Sequence, residues 1–402
     1  MTHPNTTYTY LIIGGGMVAD SAARGIRELD TDGTIGILSR EDNPPVARPA
    51  LSKKLWTDPS FTFEDVWLNT AADTGAVFHA GETAVSVDRD AHTVRTHGGN
   101  EFGYRRLLLA TGGTPNTLDI PDDDRVIYFR TVDDYRRLRE LSGEHRRIAV
   151  VGGSFIATEI AAALVQNGAE PVLIYPEDVL GEKVFPSGLA QQFETMYRDN
   201  GVDLVPGTTV GSGTAGADGI TLTLSSGDTV ECTAVVVGVG VSPDIGLAED
   251  AGLKTVDGVV VDDRLRTVDP DILAAGDIAE YPDAILGRSR IEHVDNATTM
   301  GRQAGRNLAG ADEPYDHTPY FYSAVFGNRY EAVGTLDASL ETVESWGGEH
   351  GVVYYIDGSS VVGVLLWNIS GRRDAARDAV AHADATDPEV LKNRIPVSDA
   401  DD

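Results

Sequence analysis

A chain of 402 residues, 41% of them hydrophobic, is long enough for two or three domains with substantial cores and too apolar to be disordered. No apolar run approaches the roughly 20 residues of a membrane span, and Met1 to Tyr10 lacks the regions of a targeting peptide, so we expect a cytoplasmic protein. The formal charge of −31 disfavours nucleic acid and membranes as partners, and acids spread along the whole chain are typical of a halophilic source.

The first predicted element is a buried strand that runs into a glycine turn and continues as a helix over Asp20–Leu29. The spacing of Gly14, Gly16 and Ala19 fits Gly-x-Gly-x-x-Ala. In such a turn Gly14 permits the sharp bend, Gly16 the approach of a pyrophosphate, and Ala19 close packing of the helix on the sheet. The free N–H groups of the helix start would face the phosphates.

The same pattern occurs twice. A strand, a glycine turn at Gly152 and a helix recur over Arg147–Ala157. In each unit a carboxylate follows the next strand, Glu41 in the first and Glu177 in the second, where it would bind a ribose hydroxyl. The repeat predicts two dinucleotide sites, and the alternative is two ordinary glycine turns in an α/β sheet.

The remaining elements are predicted from local patterns. Helices are expected over Arg130–Ser142 and Ser187–Asn200, a strand region over Thr229–Val239, a long helical pattern from Arg290 to Ala309, and a helix over Arg372–His382. From about Pro319 aromatic, alternating strands indicate a separate α+β domain, and an acidic end, Ser398–Asp402, is expected to be disordered.

Cysteine and metal chemistry have little support. The single cysteine, Cys232, excludes an intrachain disulfide, and its strand-like surroundings favour a buried filler over a catalytic thiol. No Cys, His and Asp cluster has the spacing of a metal site, so no metal is expected.

The chain resembles two-dinucleotide flavoproteins of the ferredoxin-reductase and apoptosis-inducing-factor type over nearly its whole length. The motifs that carry the resemblance stand in family order: the first glycine turn, Arg48-Pro-x-Leu51-Ser52-Lys53, Ala110-Thr-Gly-Gly113, Phe155-x-x-x-Glu159, Ala275-Gly-Asp277 and Glu292-His293. Lys54-Leu55-Trp56, Tyr330–Leu340 and Gly363–Ile369 are most similar to apoptosis-inducing factor.

The resemblance implies an α/β fold with two Rossmann-like domains and a C-terminal α+β domain. The FAD domain would be interrupted by the NAD domain. The implied segments are 1–126 and 251–317 for FAD, 127–250 for NAD(P)H, and 318–402 for the C-terminal domain.

The resemblance also implies the functional residues. Lys53 and Glu159 would form an ion pair beside the flavin N5, in the catalytic role. Cofactor contacts would come from Gly14, Gly16, Ala19, Glu41, Arg48, Lys53, Thr111, Gly112, Gly276, Asp277, Glu292, His293, Gly152, Phe155, Glu159, Glu177, Gly240 and Tyr322.

Several of these residues also have an ordinary structural interpretation. Lys53 could be a solvated lysine and Glu159 a helix-surface acid, while Phe155 and His293 could belong to the core. A carboxylate at Glu177 repels a 2′-phosphate, and no arginine follows it, which predicts NADH over NADPH.

The chain departs from the family pattern at three places. Arg40 occupies the position of the carboxylate that binds the FAD ribose, so Glu41 substitutes or the contact is lost. Tyr322 stands where tryptophan is usual. The long insertion of the animal apoptosis-inducing factors is absent between Trp346 and Val352.

The implied enzyme is a flavoprotein that takes hydride from NADH and passes electrons to a ferredoxin, rubredoxin, quinone or oxygen. The alternatives are a redox-responsive protein, whose long-lived reduced flavin–NAD charge-transfer complex controls dimerisation, and a flavin-bound assembly factor. A homodimer is compatible with each. Arg136, Arg137 and Arg139, or Arg372 and Arg373, could dock an acidic carrier or form a solvated helix face.

Overall fold

The computed structural model describes residues 6–385 and 387–398, which form two compact units. The first unit holds the chain up to Ala47, Phe63–Thr114 and Ser242–Pro319. The second holds Arg48–Thr62, Pro115–Val241 and the chain from Tyr320 onward. Met1 to Asn5 and the acidic end beyond Ser398 lie outside the described residues, as do the predictions made for them.

The helices of the described residues vary from single turns to fifteen residues. They are α1 (Met17–Arg27), α2 (Pro49–Ser52), α3 (Lys54–Thr57), α4 (Thr70–Thr74), α5 (Val132–Leu141), α6 (Phe155–Gln166), α7 (Ser187–Asp199), α8 (Gly246–Asp250), α9 (Val294–Leu308), α10 (Arg373–His382) and α11 (Pro388–Lys392), with 3-10 turns at Phe63–Val66 and Gly276–Ile278.

The strands are mostly short. They are β1 (Thr6–Ile13), β2 (Ile35–Leu38), β3 (Val77–His79), β4 (Ala84–Asp88), β5 (Thr93–Thr96), β6 (Glu101–Leu109), β7 (Gly113–Pro115), β8 (Val126–Tyr128), β9 (Arg147–Val151), β10 (Glu170–Ile174), β11 (Asp203–Val205), β12 (Val210–Ala215), β13 (Ile220–Leu224), β14 (Thr229–Cys232), β15 (Ala234–Val237), β16 (Val241–Pro243), β17 (Val259–Val260), β18 (Ile272–Ala274), β19 (Ala279–Asp283), β20 (Gly287–Ser289), β21 (Tyr320–Val325), β22 (Asn328–Gly334), β23 (Glu341–Gly347), β24 (His350–Asp357) and β25 (Ser360–Trp367).

The first unit is built on a seven-stranded sheet with the order β3-β2-β1-β6-β5-β4, and β18 also pairs with β6. Strands β1, β2, β3, β6 and β18 run parallel, and the apolar residues 11–13 of β1, 107–109 of β6 and all of β2 and β18 are buried, as expected where both faces of a parallel sheet are covered. Helices α1 and α9 pack closely at glycines: a Cβ on Gly305 would lie 2.0 Å from the carbonyl oxygen of Ala22. A smaller sheet, β17-β19-β20, completes the unit.

The second unit contains another parallel sheet, with the order β11-β10-β9-β15-β8. Helix α6 packs on β10 and is buried over most of its length. An antiparallel sheet, β12-β13-β14, carries Cys232 at its end. Cys232 is buried as predicted, and burial raises the pKa of its thiol to about 11. The thiol is therefore protonated at neutral pH.

The C-terminal part of the second unit is a five-stranded antiparallel sheet, β21-β22-β25-β24-β23. Val352 and Tyr354 on one face of β24 belong to the core formed with α10 and α11, and Val353 and Tyr355 on its other face are buried as well. The central strands of this sheet are therefore covered on both faces, which explains their consecutive apolar residues.

The predicted fold class is confirmed: two parallel, Rossmann-like sheets with helices, and a C-terminal α+β domain. The predicted segment boundaries stay a prediction. Two local predictions need correction. The run Thr229–Val239 is divided at Thr233 into β14 and β15, and the helix expected from Arg290 begins at Val294, with His293 at its N-cap. No helix in the described ranges has the length and hydropathy to cross a membrane.

Candidate functional site

The first glycine turn has the geometry of a phosphate cradle. Gly14 has φ +118°, and a Cβ there would lie 2.0 Å from the carbonyl oxygen of Ala110, so only glycine fits. Gly16 is the N-cap of α1 and provides no side chain to bind the helix N–H groups, while Ala19 is fully buried. The start of α1 can therefore present its N–H groups to a phosphate.

The end of β2 is occupied by an arginine, as the sequence shows. Arg40 directs its Nη1 to Oδ2 of Asp244 at 3.1 Å and to the hydroxyl of Thr114 at 3.3 Å. Glu41, half-buried, donates its backbone N–H to the hydroxyl oxygen of Ser39 at 3.1 Å. Arg40 is thus engaged within its own unit, and Glu41 remains the predicted carboxylate for the ribose.

Four further predicted residues of the first unit lie in turns. Thr111 donates its hydroxyl proton to the carbonyl of Asp244 at 2.7 Å, and Gly112 has φ +68°. Gly276 has φ +76°, and a Cβ there would lie 2.4 Å from the side chain of Val18, on α1. Asp277 follows in the 3-10 turn. The Gly276 turn therefore abuts the start of α1, close to the proposed phosphate cradle.

Glu292 and His293 stand immediately before α9. Glu292 Oε1 accepts a hydrogen bond from Nη1 of Arg290 at 2.5 Å. Burial lowers the pKa of His293, an effect that the nearby Asp277 opposes. Near neutral pH the imidazole is therefore uncharged and can both donate and accept a hydrogen bond.

The second glycine turn repeats the geometry of the first. Gly152 has φ +126°, and a Cβ there would lie 2.3 Å from the carbonyl oxygen of Gly238. Ser154 is the N-cap of α6 but directs its hydroxyl to that same carbonyl, at 3.3 Å, and makes no cap hydrogen bond. The helix start is again available to an anionic ligand.

A cavity of about 250 Å³ opens beside this turn. Its lining includes Gly153, Phe155, Glu177, Lys183 and Tyr330. Oε1 of Glu177 pairs with Nζ of Lys183 at 2.5 Å, whereas the buried Oε2 has no hydrogen-bond partner among the residues that the structure describes. A buried carboxylate oxygen without a donor is unfavourable, so the site is suited to a ligand that supplies a hydroxyl.

Aromatic side chains form the far side of this cavity. Phe155 packs on Phe321 and Tyr330, with ring centroids 5.0 and 6.3 Å apart. Phe185 meets the edge of Tyr330 at 5.3 Å, and Tyr330 stacks on Trp367. Phe155 therefore belongs to an apolar cluster and also lines the cavity, so the two interpretations of this residue are compatible.

The structure joins Lys53 and Glu159, which the sequence separates by more than a hundred residues. Lys53 Nζ lies 2.6 Å from Oε2 of Glu159, and the lysine side chain is 15% exposed. Its ammonium also lies 5.4 Å from the ring centroid of Tyr322, a cation–π distance. A solvated lysine and a surface glutamate are thereby excluded as descriptions of these two side chains.

Two serines complete this cluster, and the sequence did not indicate either. The hydroxyl of Ser52 donates to Oε2 of Glu159 at 2.6 Å, and that of Ser323 donates to Oε1 at 2.7 Å. Ser52 directly precedes Lys53 in a motif for which only the lysine was predicted to have a functional role. Ser323 lies next to Tyr322 on β21, where strand alternation predicts its side chain to lie on the opposite face.

Gly240 and Arg48 lie in loops of the second unit. Gly240 has φ +93°, and its carbonyl accepts the backbone N–H of Asn116 at 3.0 Å. Arg48 donates from Nη1 to the carbonyl of Arg130 at 2.8 Å. These contacts describe how the loops are held, and the cofactor roles of both residues stay predictions.

Two of the arginines considered as a docking site lie close to acids. Arg136 pairs with Asp133 at 3.0 Å, and Arg137 with Asp124 at 3.4 Å. Arg139 lies over the ring of Trp56, 4.5 Å from its centroid. In the described residues no group of three or more His, Cys, Asp or Glu side chains is placed to hold a metal.

Two Rossmann-like sheets, each with a glycine turn at the start of a helix, define a pyridine nucleotide oxidoreductase. The family model described as pyridine nucleotide-disulphide oxidoreductase matches residues 8–301, and a model of the C-terminal region of mitochondrion-associated apoptosis-inducing factor matches residues 304–349. The chain belongs to the pyridine nucleotide-disulphide oxidoreductase family, whose cofactors are a flavin and NAD(P)H. Its one cysteine leaves no cysteine pair for a redox-active disulfide.

Named proteins are similar to this chain over most of its length. The protein assigned as apoptosis-inducing factor 1, mitochondrial, in Drosophila melanogaster is 29% identical over 92% of this chain, which spans 63% of that relative. The ferredoxin–NAD(+) reductase component of the anthranilate 1,2-dioxygenase system of Burkholderia cepacia is 32% identical, covering 95% of this chain and 96% of that protein. The structure of a covalent putidaredoxin reductase–putidaredoxin complex is similar with a TM-score of 0.88, 25% identity and 98% of both chains covered.

Proposed function

We propose that this protein is an FAD-dependent NADH oxidoreductase that passes electrons to a small electron-carrier protein. Bound FAD would supply the acceptance of a hydride from NADH at N5 and the release of the two electrons singly to a one-electron carrier. The balance is one NADH and two oxidised carriers giving NAD⁺, one proton and two reduced carriers. Ferredoxin- and putidaredoxin-linked relatives cover 95% and 98% of this chain, which supports a small electron-carrier protein as the acceptor.

The observation that carries the nucleotide assignment is the unpartnered Oε2 of Glu177. The side chain is 12% exposed and lies where a Cβ on Gly153 would come within 2.7 Å of that oxygen. A ribose hydroxyl at this glycine turn would donate to the carboxylate. A 2′-phosphate would bring negative charge to the same atom, so the geometry supports NADH as the preferred donor.

Lys183 opposes this preference in part. Its ammonium lies on Oε1 of Glu177, but the side chain is 73% exposed and can move toward a phosphate. Glu177 and Lys183 therefore act in opposite directions on the choice between NADH and NADPH. Replacing each of them separately tests this proposal.

The test is to titrate the holoenzyme with NAD⁺ and NADP⁺ by calorimetry, using Glu177→Ala and Lys183→Met. We expect tighter NAD⁺ binding in the wild type and a preference reduced roughly 10-fold or more in Glu177→Ala, equivalent to about 1.4 kcal/mol. Lys183→Met should leave or increase the preference. Equal wild-type affinities, or a preference unchanged by Glu177→Ala, would refute the NADH assignment.

The Lys53–Glu159 pair supports the flavin assignment. A fixed ammonium stabilises negative charge that develops on a reduced flavin. The residues of the first glycine turn, with Gly276, Asp277, Glu292 and His293, are proposed to hold FAD. The geometry of Gly14 and of the α1 start fits a dinucleotide pyrophosphate, as described above.

The acceptor is tested by mixing the enzyme with NADH under air and following the flavin absorbance. Slow reoxidation in air that a ferredoxin accelerates supports the carrier assignment, whereas fast reoxidation by oxygen alone contradicts it. No feature of the described residues favours the signalling alternative, whose sign would be a long-wavelength band that persists for minutes. The cytoplasmic location, halophilic source and homodimer stay predictions.

A further inference from the structure

We propose that Ser323, assisted by Ser52, is a positioning residue that holds Glu159 and thereby fixes the ammonium of Lys53. The proposal concerns the hydroxyl groups and their contacts with the carboxylate. Its relevance to electron transfer rests on the proposed flavin role of Lys53.

Glu159 lies on the buried face of α6 and is 3% exposed. A buried carboxylate is stable only where donors replace the lost water. One ammonium supplies the opposite charge at Oε2 but leaves the other oxygen to be satisfied. Ser323 supplies that donor at Oε1, 2.7 Å away, and is itself 1% exposed.

The three donors come from two separate parts of the chain. Ser52 and Lys53 belong to the α2–α3 segment, and both reach Oε2 at 2.6 Å. Ser323 comes from β21 and reaches the opposite side of the carboxylate. Because the donors are on both oxygens, rotation of the carboxylate breaks at least one of these hydrogen bonds. The two oxygens are therefore held from two directions.

A hydroxyl beside an ionised carboxylate has a defined orientation. The carboxylate can only accept, so the Ser323 proton must point toward Oε1. Hydrogen bonds to charged groups are stronger than those between neutral groups. Ser323 is also the direct cross-strand partner of Tyr330, which lines the nucleotide cavity. Its position is thus set by a rigid sheet.

Three tyrosines also feel the charge of Glu159. They are Tyr197, Tyr322 and Tyr330; burial raises the pKa of each tyrosine, and the charge of Glu159 raises it further. These phenols are therefore neutral through the physiological range. The positive charge of Lys53 balances the negative charge of Glu159. The serine hydroxyls fix the position of the carboxylate that the ammonium binds.

The test uses the scarcity of lysine. The chain has Lys53, Lys54, Lys183, Lys254 and Lys392, so ε-¹³C-lysine labelling of the holoenzyme gives a simple spectrum. Lys53 is assigned by Lys53→Arg. The chemical shift and line width of its signal are recorded at one fixed pH, since both depend on how firmly the ammonium is held against the carboxylate.

Loss of a donor to one oxygen lets the carboxylate turn, so the ammonium paired with it is held less firmly. In Ser323→Ala we expect the Lys53 signal to shift and broaden, and in Ser52→Ala to change less, because Oε2 keeps Lys53. Glu159→Gln should move the Lys53 signal toward the position of a lysine without a carboxylate partner. In that background Ser323→Ala should change the Lys53 signal no further.

Ser142→Ala is the matched control, because the buried hydroxyl of Ser142 has no hydrogen-bond partner to lose. Its Lys53 signal should match the wild type, and Ser323→Thr, which keeps the hydroxyl, should largely restore it. A Ser323→Ala signal superimposable on the wild type, or a further change in the Glu159→Gln background, overturns the proposal.

The flavin reduction potential separates this proposal from the proposed function. If Lys53 stabilises the reduced flavin, Ser323→Ala should make the potential more negative. A changed Lys53 signal with an unchanged potential would uphold the positioning role of Ser323 and reject the flavin role of Lys53.

Discussion

Removal of Arg373 should destabilise the C-terminal sheet measurably. Glu331 is fully buried on β22, and Arg373 on α10 contacts it with Nε at 2.7 Å and Nη2 at 2.5 Å. The guanidinium carbon also lies 3.7 Å from the ring centroid of Tyr320, and Arg329 pairs with the same carboxylate. Arg373 therefore links α10 to β22 through the buried carboxylate of Glu331, and it also packs on the ring of Tyr320.

Breaking a buried ion pair costs about 3–5 kcal/mol when the remaining charge is left alone. Here Arg329 remains, and Arg373 is 34% exposed, so part of the loss is compensated by the second arginine and by water. We expect Arg373→Met to lower the free energy of unfolding by about 2–3 kcal/mol. Methionine keeps most of the aliphatic part of the arginine side chain, so the loss in free energy of unfolding comes mainly from the missing positive charge.

The assay is urea unfolding followed by pulse proteolysis, with Arg377→Met as the control. Arg377 lies on the same helix but pairs with Asp374, which is 98% exposed, and such surface pairs contribute about 0–1 kcal/mol. The double variant Glu331→Met/Arg373→Met should recover part of the loss because no buried charge remains. Equal effects of the Arg373 and Arg377 variants would refute the reasoning.

Three other predictions follow from the geometry. In Gly14→Ala the new Cβ would lie 2.0 Å from a backbone carbonyl oxygen, so the variant should retain FAD at least 10-fold less well in a dialysis assay. Gly75→Ala is the control: Gly75 has φ +68° but no close neighbour, so this variant should lose stability and keep FAD bound. With a net charge of −31, the melting temperature should rise as KCl increases from 0.1 to about 2 M, and a fall would contradict the halophilic interpretation. Burial lowers the folded-state pKa of His293, so below about pH 6.5 the unfolded state binds more protons than the folded state. The free energy of unfolding should therefore fall as the pH drops from about 6.5 toward the folded-state pKa. His293→Gln should flatten that slope.

The sequence was most informative where the chemistry is local. The turn at Gly14 requires a positive φ, and the glycine spacing records that backbone constraint within six residues. The same holds for Gly152. The C-terminal strands were recognisable from their aromatic and β-branched residues, although β24 is buried on both faces and not at every second residue.

The sequence was less informative where partners come from distant segments. Ser323 contacts Glu159 only because β21 brings it there, and nothing in its neighbours distinguishes it from other strand serines. Lys183 reaches Glu177 across a turn, and its role is visible only from the 2.5 Å contact. Glu331 is not recognisable as a buried charge from its neighbours in the sequence, since Arg373, which binds both of its oxygens, belongs to a distant helix.

The distribution of charge also bears on how a carrier would dock. Arg136, Arg137 and Arg373, which the sequence offered as attractive sites, all lie on carboxylates: Asp133, Asp124 and Glu331 respectively. Their positive charge is largely used within the protein. Attraction between these arginines and an acidic carrier is therefore weak, and the surplus acids repel it at low salt. Complementary shape and apolar contact must carry such a complex, with salt favouring it by screening the repulsion.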